Sequence, residues 1–159
     1  MALARFYWLI EDTLAGCSRP GGRNGDETAL EADLRWLRSR GIGAVLSLTE
    51  TPLAPGVLAE HGLISLHLPV DDLTPPAPRQ LVEALAFLDW QRARGRAAVV
   101  HCLEGQGRTG TVLAAHLIRG GLSPEAAVRE MRALCPGAIS SPAQERALVA
   151  FAARRDWVL

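Results

Sequence analysis

The sequence predicts an α/β domain with a central, mostly parallel sheet flanked by helices. Short apolar runs, typical of buried strands, alternate with longer segments whose apolar residues recur at helical spacing. Glycine, proline and aspartate cluster between these segments, where turns and loops are expected. The chain has 159 residues, of which 48% are hydrophobic, so we expect a single domain over 1–159 with a sizeable core.

The first half of the chain is predicted to hold four strands and two helices. Leu30, Leu34 and Leu37 share one face of the first helix, and Gly41 fits its C-terminal end. The predicted elements are, in order, two short strands within 6–15, a glycine-rich loop at 18–28, a helix at 27–40, a buried strand at 44–49, a short helix at 55–61 and a second buried strand at 63–68.

The second half is predicted to hold one strand and four helices. Ser123 and Ser141 each precede a proline, a pattern typical of a helix N-terminus. Four prolines make 69–78 a loop, because they remove backbone donors. After that loop we expect an amphipathic helix at 79–94, a third buried strand at 96–102 and helices at 108–120, from Pro124 to about 134, and from Pro142 to about 155.

Composition excludes several classes of function. The formal net charge is zero and no block of like charge occurs, which disfavours a nucleic-acid partner. The chain has no lysine, so a Schiff-base or Walker-type lysine is excluded. No run is long enough to span a membrane, and the N-terminus lacks a signal-peptide pattern. Three cysteines (Cys17, Cys102 and Cys135) make a disulfide framework unexpected and favour a cytoplasmic location.

The stretch HCLEGQGRTG at 101–110 carries the clearest chemical signal. It joins a predicted buried strand to a predicted helix, so Cys102 lies where a parallel sheet binds ligands. Three glycines permit a turn whose amides converge on an anion at the helix N-terminus. Arg108 adds a planar group that can bind two phosphate oxygens. Cations and helix N-termini favour thiolates, so Cys102 is predicted to be a thiolate nucleophile.

Phosphoryl transfer to a thiolate also needs an acid for the leaving oxygen. Asp72 is our candidate and Asp71 the alternative, because their loop follows the preceding strand at the same edge of the sheet. Thr109 is expected to donate a hydrogen bond to the Cys102 sulfur, or else to cap the helix. His101 is expected to position the loop rather than to act as a base.

These residues resemble the phosphate-binding signature of the cysteine-dependent protein tyrosine phosphatases, which is complete here as HCLEGQGRTG. The chain is most similar to the small single-domain (atypical) dual-specificity phosphatases, in particular the dual-specificity phosphatase 23 group. The likeness covers most of the chain and includes WLIEDTLAG, LSLTE, DDLTPPAP and PGAISSPAQERAL.

The resemblance implies a role for each matching residue. Cys102 would be the nucleophile, Arg108 the phosphate ligand and Asp72 the general acid. Gln144 resembles a glutamine that positions the hydrolytic water in longer tyrosine phosphatases. His101 and Thr109 would support the loop, and the remaining phosphate-binding positions would be Leu103, Glu104, Gly105, Gln106 and Gly107. Glu104 is also expected to shape the loop as a hydrogen-bond acceptor, and the missing lysines argue against highly phosphorylated inositols.

The expected activity is therefore hydrolysis of a phosphorylated protein or a small phosphomonoester by a monomer without metal or cofactor. Two alternatives stay open: a phospho-binding module that lacks turnover, and a sulfurtransferase of the rhodanese kind. Arg19 and Arg23 are candidates for substrate contact. Cys17 and Cys135 are interpreted as packing residues, with a disulfide to Cys102 as a less favoured option. The four tryptophans (Trp8, Trp36, Trp90 and Trp157) are expected in the core or at its edge.

Overall fold

The computed structural model describes residues 3–154, which form five strands and six helices in that part of the chain. Their bounds lie within about two residues of those predicted from the sequence. In chain order the elements are β1 (Phe6–Ile10), β2 (Leu14–Cys17), α1 (Glu27–Ser39), β3 (Ile42–Ser47), α2 (Pro55–Glu60), β4 (Ile64–His67), α3 (Pro78–Ala93), β5 (Ala97–His101), α4 (Gly107–Arg119), α5 (Pro124–Leu134) and α6 (Pro142–Ala153).

The five strands form one sheet in the order β1-β2-β5-β3-β4. Only the hairpin of β1 and β2 is antiparallel, and the other pairs are parallel. The predicted fold class is confirmed. The central strand β5 has hydrogen-bonded neighbours on both sides, and its last residue, His101, pairs with Cys17 of β2 and Ser47 of β3. Three parallel strands therefore end together beside Cys102.

Two apolar clusters cover the two faces of the sheet. Residues of β5 alternate between them: Ala98 and Val100 face the cluster under α3–α6, whereas Ala97 and Val99 face the cluster under α1 and α2. This alternation follows from the two-residue period of a strand. Burial on both faces explains why β5 is apolar throughout except for His101.

Two expectations about burial were wrong. Strand β4 was predicted to be buried, but it lies at the edge of the sheet and Ile64 is 45% exposed. Trp90 was expected in the core or at its edge, but it is 59% exposed on α3, where Arg94 Cζ lies 3.4 Å from the centroid of its ring. Trp157 lies outside the described residues, as does the predicted end of the last helix near 155.

Both predicted serine caps are present. Ser123 accepts a hydrogen bond from the amide of Ala126, and Ser141 accepts one from the amide of Gln144. Between residues 3 and 154, no helix combines the length and apolar character that crossing a membrane requires.

Candidate active site

The loop from Cys102 to Gln106 connects the buried strand β5 to α4. Cys102 is buried at the end of β5, and α4 begins at Gly107. The backbone amides of 103–106 donate to no acceptor within residues 3–154. The loop therefore presents free donors beside a helix N-terminus, an arrangement suited to an anion.

Gly105 allows this loop to pack against the neighbouring strand. It has a φ of +77°, in the left-handed region that favours glycine. A Cβ atom at this position would lie 2.6 Å from the carbonyl carbon of Cys17 and 2.8 Å from the amide nitrogen of Ser18. A side chain at 105 would thus collide with main-chain atoms that cannot rotate away.

Residues in the β1–β2 hairpin and next to it form hydrogen bonds to the carbonyls of the same loop. The hydroxyl of Tyr7 donates to the carbonyl of Gly105 at 2.8 Å, and Arg5 Nη1 donates to the carbonyl of Glu104 at 2.6 Å. The amide of Arg19 donates to the carbonyl of Leu103 at 3.0 Å. Three consecutive loop carbonyls therefore point away from the anion-binding side. Burial raises the pKa of Tyr7, so its hydroxyl keeps its proton and remains a donor.

His101 forms a hydrogen bond at the start of the loop. The imidazole is buried, and its Nδ1 lies 3.0 Å from the carbonyl oxygen of Cys102. Since a carbonyl only accepts, Nδ1 must carry the proton, and Nε2 accepts from the Ser47 hydroxyl at 2.7 Å. Burial lowers the pKa of His101 to about 4, so the ring is neutral near pH 7.

Arg108 lies under the loop and is only 2% exposed. Its Nη1 donates to Glu50 Oε1 at 2.6 Å and to the carbonyl of Val70 at 2.8 Å. These partners compensate a buried charge that would otherwise be costly. The hydrogen bond from Arg108 also lowers the pKa of Glu50, which keeps this carboxylate ionised. Arg108 Nε is buried and has no hydrogen-bond partner within residues 3–154.

Asp72 lies beside Arg108, in the proline-rich loop that follows β4. Its Oδ1 is 3.4 Å from Arg108 Nη2 and accepts from the amide of Leu73 at 2.9 Å. The amide of Asp72 donates to Glu50 Oε2 at 3.3 Å, and its side chain is 62% exposed. The acid-bearing loop therefore reaches Arg108, at the start of α4 just after the Cys102 loop. Within residues 3–154, the hydrogen bonds of Asp71 are those that its carbonyl accepts from the amide and the hydroxyl of Thr74.

The N-terminus of α6 contacts this acid-bearing loop. Ser141 Oγ donates to the carbonyl of Leu73 at 2.7 Å, and Gln144 Nε2 donates to the carbonyl of Thr74 at 3.2 Å. Gln144 is fully buried, and its Oε1 accepts from the amide of Ser140 at 2.7 Å. Its role toward water stays a prediction, and in this structure its amide joins α6 to the loop.

Three loop residues differ from expectation or refine it. Thr109 lies inside α4, and its buried hydroxyl has no partner within residues 3–154, so neither of its two predicted contacts occurs here. Gln106 precedes α4, and its side chain donates to the carbonyl of Pro136 at 2.9 Å, away from the anion-binding side. The carboxylate of Glu104 pairs with Arg23. Glu104 therefore accepts a hydrogen bond, and its role in shaping the loop stays a prediction.

A cavity of about 300 Å³ opens above Arg108. It is bounded by the glycine-rich loop, the segment after β3, the acid-bearing loop and Leu103. Both arginines singled out in the sequence reach it. The lining residues are Arg19, Arg23, Asn24, Gly25, Thr49, Glu50, Thr51, Asp72, Leu103 and Arg108.

Glu50, Tyr7 and Ser141 contribute to the site, but the sequence predicted no role for them there. A signal existed for Glu50, because it lies just after β3 at the edge of the sheet where Cys102 lies. Tyr7 and Ser141 act through backbone carbonyls of distant loops. Such contacts leave no pattern in a single sequence.

The chain is similar to several known proteins. The family described as "Polymorphic toxin system, DSP-PTPase phosphatase" matches residues 15–122. The human protein tyrosine phosphatase type IVA 3 is 30% identical over 121 residues, which cover 74% of this chain and 69% of the human protein. The phosphatidylglycerophosphate phosphatase PTPMT1 of Arabidopsis thaliana is 28% identical over 126 residues. That match covers 76% of this chain and 37% of the plant protein, so the chain spans well under half of this relative.

Solved structures show the same fold. Tk-PTP in its active form is 30% identical and superposes with a TM-score of 0.79, covering 90% of this chain and 93% of the other. The crystal structure of PTPMT1 is 25% identical with a TM-score of 0.78, covering 93% and 94% of the two chains. Together with the family match across the strands and loops of the site, these likenesses establish that the chain belongs to the DSP-PTPase family of polymorphic toxin systems, among the small dual-specificity phosphatases of the cysteine-based tyrosine phosphatase superfamily.

Proposed function

We propose that the chain hydrolyses phosphomonoesters through a cysteinyl-phosphate on Cys102, as a tyrosine or dual-specificity phosphatase. The observation that carries this proposal is the buried Arg108, at the start of α4 just after the Cys102 loop, whose Nε has no hydrogen-bond partner within residues 3–154. A phosphate oxygen would satisfy this donor together with the free amides of 103–106. Asp72, at 3.4 Å from the same guanidinium, supplies an acid beside the bound group.

The reaction would proceed in two steps. The thiolate of Cys102 attacks phosphorus, an S–P bond forms and the P–O bond to the substrate breaks, while Asp72 gives its proton to the departing oxygen. A water molecule then attacks phosphorus and the S–P bond breaks. The Asp72 carboxylate takes the proton from that water, and inorganic phosphate leaves with the Cys102 thiolate restored. Arg108 and the loop amides hold the phosphoryl oxygens through both steps.

The proposal also covers the oligomeric state, the need for a metal or cofactor, and the cellular compartment. All the groups named above come from one chain, so a monomer with a single catalytic domain over 1–159 suffices, and no step needs a metal or cofactor. The reaction requires a reduced Cys102, which favours a reducing compartment such as the cytoplasm. The names of the relatives include protein and phospholipid phosphatases, and both a phosphorylated protein and a small phosphomonoester remain within the proposal.

The test is hydrolysis of two aryl phosphates in EDTA with a thiol reductant. We expect the native protein to release phosphate from para-nitrophenyl phosphate at a rate that EDTA does not change. Cys102→Ser should fall to background. Asp72→Asn should lose about 100-fold with phenyl phosphate and less with para-nitrophenyl phosphate, because the better leaving group needs less proton donation.

Asp71→Asn is the matched comparison, since it removes the neighbouring carboxylate. It should cost far less than Asp72→Asn, and the reverse order would assign the acid to Asp71. Retained turnover in Cys102→Ser would contradict the mechanism. A folded, reduced native protein that binds a phosphotyrosine peptide without releasing phosphate would instead favour the binding module.

A further inference from the structure

The cavity above Arg108 receives positive charge from the glycine-rich loop as well as from its floor. Arg19 and Arg23 line it together with Asn24 and Gly25 of the same loop. A phosphate bound at Arg108 would occupy only part of about 300 Å³. The rest of the substrate would therefore extend past these arginine side chains.

The three arginines differ in how their charges are compensated. Arg108 is paired with Glu50 and Asp72, and Arg23 is paired with Glu104. Arg19 pairs with no carboxylate within residues 3–154, and the recorded bond of its side chain is a donation from Nη1 to the carbonyl of Gly22 at 3.0 Å. Its charge therefore has no anionic partner in the cavity.

The position of Arg19 is fixed close to the phosphate-binding loop. Its own amide donates to the carbonyl of Leu103, the residue after Cys102. The charges of Arg19 and Arg108 both act on the buried ring of His101, where they add to the effect of burial in lowering its pKa. Both cations thus lie near the residues that hold the loop.

The lining of the cavity is polar. Of the residues that line it in the described part of the chain, only Leu103 has an apolar side chain and none is aromatic. Two threonines, Thr49 and Thr51, supply hydroxyl groups. The organic part of a substrate would therefore meet hydrogen-bonding groups and charge rather than a ring-stacking surface.

We propose that the site selects phosphomonoesters that carry a second acidic group a few bonds from the phosphate, and that Arg19 binds this group. The inference rests on the proposed function and narrows its substrate class. The phosphate accepts hydrogen bonds from Arg108 and the loop amides. A carboxylate or a second phosphate forms an ion pair with Arg19, whose charge is otherwise uncompensated. Phosphoesters of small hydroxy acids and phosphoserine followed by an acidic residue share this chemistry.

The test uses substrate pairs that differ in the second acid. We would measure kcat/KM at low ionic strength for 3-phosphoglycerate against glycerol 3-phosphate, and for a phosphoserine–aspartate peptide against its phosphoserine–asparagine counterpart. We expect about a tenfold preference for the acidic member of at least one pair, the size of one charge-assisted contact. The preference should shrink at high salt, because the cavity is open to screening.

Variants then assign the preference to Arg19. Arg19→Gln should remove most of it, whereas Arg19→Lys should retain part of it, because the positive charge is kept but the planar fork is lost. Arg35→Gln is the matched control, because Arg35 is an exposed arginine on α1 that pairs with Glu31 and does not line the cavity. It should leave the preference intact.

Turnover of para-nitrophenyl phosphate, measured in parallel, separates this inference from the proposed function. No such turnover would contradict the proposed function itself. Turnover with equal kcat/KM within both pairs, or a preference that survives Arg19→Gln, would overturn the second-acid site alone. An equal loss of the preference in Arg19→Gln and Arg19→Lys would also overturn the second-acid site. Such a result would mean that Arg19 acts through its hydrogen bond to the Gly22 carbonyl. A preference confined to one pair identifies the source as a small molecule or a peptide.

Discussion

The left-handed backbone of Gly105 shows how one residue fixes the shape of the phosphate-binding loop. The backbone at 105 turns against the end of β2, and the Gly105 carbonyl accepts a hydrogen bond from Tyr7. Gly22 has nearly the same φ, +76° against +77°, but in the described part of the chain no heavy atom beyond its two chain neighbours lies within 4 Å of the position a Cβ would take. Alanine substitutions at these two glycines therefore separate two costs: the left-handed φ, which both positions share, and the steric collision, which occurs only at 105.

Gly105→Ala should destabilise the protein far more than Gly22→Ala. Both substitutions carry the dihedral penalty of roughly 1 kcal/mol. Only the first adds a collision with the backbone of Cys17 and Ser18, which brings its expected cost to about 3 kcal/mol. Urea unfolding of the two variants measures the difference. Equal losses of unfolding free energy would show that the loop can move away from β2.

Residue type and spacing predicted the chemistry of the loop but not its supports. Cys102, Arg108 and the glycines could be identified because a strand, a glycine-rich turn and a helix follow one another within ten residues. The partner of Arg108 could not be identified from the sequence, because Glu50 is 58 residues away and the two residues meet only in the folded chain. For Thr109 the sequence predicted a partner that the packing of α4 does not supply.

At the scale of elements, the N-terminus of α6 holds the acid-bearing loop in place. Ser141 is both the cap of α6, through its bond with the amide of Gln144, and a donor to the carbonyl of Leu73. Leu73 has a φ of +65° and is largely exposed, so its own packing does little to hold it. Ser141 is thus a positioning residue for the neighbouring Asp72.

Ser141→Asp should lower turnover without weakening the helix cap. Aspartate can still accept from the amide of Gln144 but cannot donate to Leu73. We expect kcat to fall about tenfold with phenyl phosphate and only about twofold with para-nitrophenyl phosphate, because the better leaving group depends less on the acid. Ser141→Thr keeps both functions and should stay near the native rates.

Ser123→Asp is the matched control for this substitution. Ser123 caps α5 in the same way, and its hydroxyl oxygen accepts a hydrogen bond from the amide of Ala126. Rates that are unchanged in Ser123→Asp and reduced in Ser141→Asp would support the positioning role of the Ser141 hydroxyl toward the acid-bearing loop. Equal reductions with both leaving groups in Ser141→Asp would mean that the substitution disturbs the loop generally rather than the acid.

The element scale also shows why one strand was misjudged. β4 (ISLH) lies in the segment LISLHL, which was predicted to be a buried strand, although Ser65 and His67 alternate with its two apolar residues. Its position at the edge of the sheet depends on strand order, which local sequence does not encode. Strand β5, which is apolar except for His101, lies in the centre and is fully buried.

At the scale of the whole molecule, parallel topology assembles the site from segments distant in the chain. The loops after β2, β3, β4 and β5 all leave the same edge of the sheet, and they contribute Arg19, Glu50, Asp72 and Cys102 respectively. From the alternation of strands and helices, the sequence predicted this convergence for the loops that carry Asp72 and Cys102. The hydrogen bonds that fix the distances between the loops became visible only in the fold.

The central claim is that Cys102 forms a covalent bond to phosphorus, and trapping that species tests it most directly. The native protein would be quenched in acid during turnover of para-nitrophenyl phosphate, digested and examined by peptide mass spectrometry. The account predicts the mass of one phosphoryl group on the peptide that contains Cys102, and its absence in Cys102→Ser. Rapid turnover with phosphate on another residue, or sustained turnover by Cys102→Ser, would contradict the account.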